Sequence, residues 1–268
     1  MQTAVQIDDA AWDVTGSILS TELATTEQDI LASKRLRYDI FASEMGARLK
    51  SAQAGIDEDE YDRWCHHLLV RETDTGEIVG STRILTDAQA RLAGGFYSES
   101  EFDLGAIRRL PGRVMEVGRT CIRPDYRSGA AIGVLWSGLA RFMATHRMDY
   151  MMGCASIGMQ DGGHQAHAIM GRLREKHLSP EHQRVAPRLA LPNLGPVQPS
   201  PATMPPLLKA YLRLGARICG EACWDPDFNV ADVFILLDMR QLPMRYQRHF
   251  LRSVPTPPVT YEAVAANL

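Results

Sequence analysis

Residues 116–142 read EVGRTCIRPDYRSGAAIGVLWSGLARF, and this stretch decides the fold. A strand-like run, EVGRTCI, meets Pro124 and a turn of small residues, after which apolar residues recur at helical spacing. The start of a helix leaves backbone N–H groups unpaired and carries the positive end of the helix dipole, so it favours an anion. Arg123 and Arg127 would add charge-assisted contacts to phosphate. The stretch predicts a phosphate-binding joint between strand and helix, although an ordinary α/β connection would have the same local shape.

Composition excludes several classes of protein. The chain has 268 residues, of which 45% are hydrophobic, so it can bury a sizeable core. Its net charge of -3 argues against a dedicated nucleic-acid binder. No apolar run is long enough to span a bilayer, and the acidic N-terminus lacks the apolar region of a signal peptide. The five scattered cysteines fit neither a disulfide framework nor a zinc site, and we expect a cytoplasmic protein without a bound metal.

The order of predicted elements indicates an α/β fold with a mixed central sheet flanked by helices. A helix over 26–46 precedes two hairpin strands (65–73 and 77–85) and a short helix and loop (88–105). Then follow a strand (113–123), a helix (130–146), a strand (148–157), a helix (164–177), a helix ending at Gly215 and two final strands (216–225 and 230–238). We predict a single domain over 1–268 with a core at about 25–245, a Pro-rich flap at about 178–206 and a basic C-terminal segment at about 240–268.

The order strand, turn, helix, strand and helix, with residues 211–216 (YLRLGA), resembles the GNAT acyltransferase core. In that family the turn holds the phosphate groups of coenzyme A or of a carrier protein's phosphopantetheine. The resemblance assigns the acyl donor to residues of the strand end and the turn, which are Thr120, Cys121, Ile122, Arg127, Ser128, Gly129, Ala130 and Ala131. The departure is Tyr126, where the family usually has Gln or Arg.

A second series of residues resembles the acyl-homoserine-lactone synthases, a GNAT branch that uses acyl carrier protein. It comprises Arg37 and Phe41, the acidic run GIDEDEYD (55–62), GSTR (80–83), Phe96 and EVGR (116–119). Asp57 departs from the usual Glu of that family. Past Glu116, residues 149–157 (DYMMGCASI) and 205–238 resemble the ornithine N-acyltransferases that make lyso-ornithine lipid, so that the resemblance covers about 25–245.

That resemblance implies transfer of a 3-hydroxyacyl group from acyl carrier protein to the α-amine of L-ornithine. The phosphopantetheine thioester would be a co-substrate, and no cofactor would be bound permanently. Arginines dominate 108–147 and recur in 240–252, and a basic face would suit the acidic carrier protein or the anionic inner membrane. Solvated arginines on helix faces are the alternative.

Aminolysis of a thioester needs a neutral amine, a stabilised oxyanion and a protonated leaving thiolate. Glu116 is the candidate base, or else the ion-pair partner of Arg119. Tyr211 matches the family's thiolate-protonating tyrosine, or else it is a core residue. Backbone N–H groups of residues 120–122 would polarise the carbonyl. Trp136, Met151 and Met152 would line an acyl tunnel unless they are simply core.

The acceptor is assigned by charge complementarity. Asp57, Asp59 and Asp62 would hold the side-chain ammonium of ornithine, and Arg37, Arg83 or Arg119 its carboxylate. Where such acids are buried, the same arginines would also serve as their partners. The alternative is that the aspartates form a solvated acidic loop.

Other functions stay open at this point. A homoserine-lactone synthase that uses S-adenosylmethionine, an N-acyltransferase for another amino acid such as glycine, and a non-catalytic carrier-protein-binding module would all share the N-terminal pattern. A covalent acyl-enzyme on Cys121 is disfavoured because no histidine is spaced to activate the thiol.

Overall fold

The computed structural model describes residues 18–51, 53–127, 129–194 and 202–242. The strands in these ranges are β1 (Leu19–Leu23), β2 (His66–Glu72), β3 (Ile78–Thr86), β4 (Phe102–Asp103), β5 (Val114–Ile122), β6 (Tyr150–Gly158), β7 (Ala186–Pro187), β8 (Arg217–Ile218), β9 (Cys223–Asp225) and β10 (Val230–Asp238). The longer helices are α1 (Glu27–Tyr38), continued by a π-helical segment (Asp39–Glu44), α2 (Asp87–Ala93), α3 (Gly129–His146), α4 (His164–His177) and α5 (Pro206–Arg213). Within the described ranges, no helix combines the length and apolarity needed to cross a bilayer.

Eight strands form one mixed sheet in the order β1-β2-β3-β5-β6-β10-β8, with β9 also paired to β10. Its described pairings are antiparallel except that between β5 and β6. Strands β4 and β7 form a separate pair. The predicted α/β mixed sheet is confirmed, because apolar periodicity located each long element to within a few residues.

Three parts of the chain differ from the prediction. Strand β1 adds an edge before residue 25, because Leu19 packs into the main core while its neighbours face outward. The single strand predicted over 216–225 is two short ones. The Pro-rich segment, predicted as a flap, contains some regular structure, because β7 within it pairs with β4. Residues 195–201 of that segment, and the predicted basic segment from residue 243 onward, lie outside the described residues.

Helices cover both faces of the sheet. Helix α3 lies on the face that carries Leu68 and Val70, with which it shares the main core. Helix α1 lies on the opposite face, where the Ser33 hydroxyl is 3.5 Å from His67 Nδ1. The strands between these two helical layers are therefore enclosed, and any opening in the sheet would lead from one layer to the other.

Strands β5 and β6 part near the middle of the sheet. Their pairing runs from Val114 with Tyr150 to Glu116 with Met152 and then stops. Beyond that point β6 stays paired with β10 as far as Gly158, and β5 stays paired with β3 as far as Ile122. The N–H and C=O groups of β5 that would have continued the parallel ladder therefore face an opening instead of a strand.

A bulge in β5 accompanies the parting. The register with β3 shifts between Arg83, opposite Gly118, and Ser81, opposite Cys121, and Arg119 adopts a left-handed backbone with φ of 52°. Met115 and Val117 face the main core before the bulge, whereas Ile122 faces it afterwards. The inserted residue thus reverses the inside–outside alternation and turns Cys121 toward α1.

Gly153 on β6 permits the last close approach of the two strands. A Cβ at this position would lie 2.2 Å from the carbonyl oxygen of Val117. We predict that Gly153→Ala lowers the free energy of unfolding by about 1–3 kcal/mol, because one strand must shift. Thermal or denaturant unfolding measures the change.

Gly171→Ala is the matched control, since the added Cβ in the interior of α4 would meet nothing within 4 Å. It should be neutral or stabilise the protein by up to about 1 kcal/mol. Equal loss of stability in the two variants would contradict the close contact at Val117.

Candidate active site

A cavity of about 710 Å³ opens where β5 and β6 part. It is lined from both faces of the sheet, by Ile40 and Phe41 near α1 and by Ile132 and Leu135 on α3. Much of its polar lining lies in β5 and the segments around it and includes Arg83, Tyr97, Ser98, Glu101, Glu116, Arg119, Thr120, Asp225 and Asp232. The cavity therefore joins an apolar chamber to a charged one beside the open edge of β5.

The apolar chamber differs from the predicted tunnel. Trp136, Met151 and Met152 are buried in the two large core clusters and do not line it. The chamber is lined instead by the π-helical segment and the chain after it, by α3 and by the start of α5, with Met45, Met204 and Leu207 among the residues. The π-helical segment contributes Ile40, Phe41 and Glu44 to this wall.

Behind the charged part of the cavity lies a buried network of arginines and aspartates. Arg37, which has 0% exposure, donates to Asp57 at 2.8 Å and to Asp62 at 2.6 Å. The arginine contacts hold the pKa of Asp62 well below its usual range, against the opposing effect of burial. Removal of one partner would leave an unpaired buried charge, so the network fixes the 55–62 segment against α1.

Two arginines connect this network to the cavity. Arg83 contacts Asp59 at 2.5 Å, and Arg119 contacts Asp57 at 3.2 Å. Arg83 and Arg119 line the cavity, whereas Arg37 and the three aspartates do not.

The expected acceptor site is therefore corrected. Asp57, Asp59 and Asp62 are already paired with arginines and lie behind the cavity wall, so they are not placed to hold a ligand ammonium. Asp57 and Asp62 are also buried, which overturns the solvated-loop alternative for both. The reading of these acids as arginine partners is the one that the geometry supports.

Arg119 is held in the bulge by contacts on several sides. Its guanidinium lies 4.9 Å from the ring centre of Tyr97 and 4.8 Å from that of Phe228. It also donates to the Tyr97 hydroxyl at 3.2 Å. These aromatic and ionic contacts offset the strain of the left-handed backbone at a non-glycine residue.

Glu116 is the last residue of β5 that pairs with β6, and its side chain is buried in the cavity wall. Its two carboxylate oxygens accept the backbone N–H groups of Tyr97 at 2.7 Å and Ser98 at 2.8 Å. Burial raises the pKa of Glu116, while these hydrogen bonds oppose the rise. The alternative of an ion pair with Arg119 is wrong, because Arg119 pairs with Asp57 and Asp59.

The turn between β5 and α3, for which the sequence predicts phosphate binding, does not have free arginines. Helix α3 begins at Gly129, with Ala130 exposed and Ala131 buried, and Ser128 lies outside the described residues. Arg127 is paired with Glu44, and Arg123 with Glu77 and Asp125. Thr120, Cys121 and Ile122 line the cavity next to this turn.

Tyr211 lies on α5, two residues beyond Lys209, and does not itself line the cavity. It is buried and packs edge-on against Trp136, with ring centres 4.7 Å apart. Burial raises the pKa of its phenol above the usual value of 10.0, so the group stays protonated. This packing is that of a core residue, and the role of Tyr211 as an acid stays a prediction.

The sequence pattern missed a trio of carboxylates, Glu101, Asp225 and Asp232. Their nearest oxygens all lie within 4.8 Å of one another, and all three residues line the cavity. They come from three separate segments, so no spacing rule connects them. The available signal was Asp232 itself, a charge inside the apolar strand VADVFILLD.

The ionised forms of Glu101 and Asp232 are disfavoured in the trio. Burial raises the pKa of Asp232 from 3.8 to about 6, although the Ser156 hydroxyl donates to its Oδ1 at 2.6 Å. Burial, together with the charge of Asp232, raises the pKa of Glu101 well above its usual value. A cation bound among these oxygens would relieve both the desolvation and the mutual repulsion.

The parted strands, the helix start beside them and the enclosed cavity define an acyltransferase of the GNAT fold. The acetyltransferase (GNAT) domain family matches residues 36–137. Solved structures with the same fold include an N-acyl amino acid synthase from uncultured soil microbes (TM-score 0.51, 11% identical, 86% of this chain and 97% of that one). Another is a coenzyme A-dependent acyl-homoserine lactone synthase (TM-score 0.53, 15% identical, 89% of this chain and 90% of that one).

Full-length sequence relatives narrow the class. An L-ornithine N(alpha)-acyltransferase of Agrobacterium fabrum is 37% identical over 87% of this chain and 85% of its own. The enzyme of the same name from Rhizobium meliloti is 35% identical over 90% of this chain and 87% of its own. The chain belongs to the family of these L-ornithine N(alpha)-acyltransferases.

Asp232 should cost the protein stability at neutral pH. Burial favours the protonated form of Asp232. The stability that Asp232 contributes is therefore fully present below pH 3.8 and is lost as pH rises through about 6. We predict that Asp232→Asn, which keeps an acceptor for Ser156, raises the free energy of unfolding at pH 7.5 by about 1–3 kcal/mol. The gain should shrink toward pH 4, as followed by thermal unfolding across the pH range.

Asp103→Asn, at an exposed position of β4, is the control and should change little. A gain for Asp232→Asn that is the same at pH 4 and pH 7.5 would show that the carboxylate is not strained.

Proposed function

We propose that this protein transfers a (3-hydroxy)fatty acyl group from acyl carrier protein to the α-amine of L-ornithine, giving lyso-ornithine lipid. The observation that carries the proposal is one cavity that holds a carboxylate trio, the guanidinium groups of Arg83 and Arg119, and an apolar chamber beside the open edge of β5. The names of the sequence relatives support ornithine as the acceptor.

Ornithine matches the charges of this cavity. Its side-chain ammonium would lie among Glu101, Asp225 and Asp232, and a cation bound there would lower the raised pKa values of Glu101 and Asp232. Its carboxylate would face the wall that carries Arg83 and Arg119. A neutral side chain such as that of glycine would leave the trio unpaired.

The donor would run through the gap between β5 and β6. The acyl chain would fill the apolar chamber, and the thioester carbonyl would accept N–H groups that β5 no longer gives to β6. Lys209, which lines the cavity and has no ion-pair partner among the described residues, would meet the phosphate of the arm.

The chemistry then needs three proton transfers. Glu116, directly or through a water, would take the proton from the α-ammonium, so that the neutral amine attacks the thioester carbon. The tetrahedral intermediate collapses, the C–S bond breaks, and the thiolate takes a proton that Tyr211 would supply, while the second proton lost by the attacking nitrogen restores the Tyr211 phenol through water. The lipid product would leave toward the anionic inner membrane, where the protein would act as a peripheral cytoplasmic enzyme.

The test of acceptor and donor is direct. The purified chain is incubated with 3-hydroxyacyl carrier protein and a panel of amino acids, and N-acyl products are identified by mass. We expect N-acylornithine to dominate, and the KM for ornithine to fall as pH rises from 5 to 7.5 because Asp232 ionises near pH 6. Asp232→Asn should raise that KM at least tenfold, the loss of about 1.4 kcal/mol, and flatten its pH dependence.

Asp103→Asn is again the control and should keep both KM and its pH dependence. Preferential acylation of glycine, or formation of a homoserine lactone from S-adenosylmethionine, would refute ornithine as the acceptor.

Glu116 is tested through the pH dependence of the rate. We predict that Glu116→Gln lowers kcat about 100-fold at pH 7, the size expected for loss of a general base. The loss should diminish toward pH 10, where the α-amine is deprotonated without help. The free energy of unfolding of the variant is measured alongside. A loss of kcat that is the same at every pH would indicate that Glu116 only holds Tyr97 and Ser98 in place.

A further inference from the structure

Carboxylates surround the turn between β5 and α3, where the sequence predicts a phosphate site. Glu44 accepts hydrogen bonds from both terminal nitrogens of Arg127, at 2.5 and 2.6 Å. The third guanidinium nitrogen, Nε, donates to the carbonyl of Ile122 at 2.9 Å. Each of the three guanidinium nitrogens of Arg127 thus already donates one hydrogen bond within the protein. Both Glu44 and Arg127 line the cavity, and each is 40% exposed at its mouth.

The second arginine of the turn is neutralised in the same way. Arg123 contacts Asp125 and Glu77, each at 2.8 Å. Glu72 accepts the Tyr126 hydroxyl at 2.8 Å on the same turn. Four carboxylates, Glu44, Glu72, Glu77 and Asp125, therefore surround two arginines.

This charge balance discriminates between the two forms of an acyl thioester. A coenzyme A thioester carries a pyrophosphate and an additional phosphate monoester, whereas the arm of a carrier protein carries a single phosphodiester. Four carboxylates around two arginines leave an excess of negative charge at the turn. This excess repels the more highly charged donor more strongly, and the repulsion acts over several ångströms at low salt.

We propose that Glu44 is a donor-specificity residue, which withholds Arg127 from the donor phosphates and thereby disfavours coenzyme A thioesters. The inference rests on the proposed function, since it presumes that the donor arm enters beside the turn. Neutralising Glu44 would free Arg127 for charge-assisted contacts and reduce the acidic excess at the mouth.

The experiment compares donors that share one acyl group. Steady-state acylation of ornithine is measured at low ionic strength with the acyl group on carrier protein, on coenzyme A and on pantetheine, which has no phosphate. For Glu44→Gln we expect kcat/KM with the coenzyme A thioester to rise about five- to tenfold relative to the pantetheine thioester. Glu77→Gln, which leaves Arg123 paired with Asp125, should give a smaller rise.

Glu221→Gln is the matched control, because Glu221 also forms a two-contact pair with an exposed arginine, Arg174, at 2.7 and 2.8 Å but does not line the cavity. It should leave the ratio unchanged. An unchanged ratio for Glu44→Gln, an equal rise for Glu221→Gln, or a wild type that uses the coenzyme A thioester as well as the carrier-protein thioester would overturn the inference.

The two proposals fail differently. N-acylornithine formed from carrier protein with an unchanged ratio in Glu44→Gln refutes only the role of Glu44. Absence of N-acylornithine from all three donors in the wild type refutes the proposed function and this inference together.

Discussion

The bulge at Arg119 is the constraint on which the site depends. A left-handed residue in the middle of a strand is strained, and here it is held by an ion pair to Asp57, which Arg37 holds in turn from α1. The bulge bends β5 away from β6 and reverses which side chains face each layer. The buried arginine network is therefore the anchor that keeps the sheet open at one place.

That opening explains how a single cavity meets two layers of the protein. Because Val117 and Ile122 face the α3 layer while Cys121 faces the α1 layer, the exposed edge of β5 is reached from both sides. The phosphate turn lies at the start of α3, whereas the carboxylate trio comes from the segments before β5 and from β9 and β10. The turn and the trio therefore border different parts of one cavity beside the same strand edge.

The sequence predicted those features that repeat along the chain. Apolar periodicity located the long strands and helices, and the step from EVGRTCI to the following helix located the joint between β5 and α3. What depends on contacts between distant segments was not predictable. Asp57 and Asp62 look like ligand-binding acids until Arg37 is seen between them, and Arg127 looks like a free phosphate ligand until Glu44 is seen across the cavity mouth. Asp225 and Asp232 belong to different strands, and only the antiparallel pairing of β9 with β10 brings them to the same cavity as Glu101.

The same fold uses charge in two opposite ways. In the Arg37 network each carboxylate has a guanidinium partner, so the burial of charge is compensated and the network serves structure. In the trio of Glu101, Asp225 and Asp232 the carboxylates face one another, and burial raises the pKa values of two of them instead of being compensated. Uncompensated charge of this kind weakens the fold, and proteins retain it where a ligand completes it. The contrast between the cluster behind the cavity wall and the cluster that lines the cavity therefore separates the acids that build the site from those that would recognise its substrate.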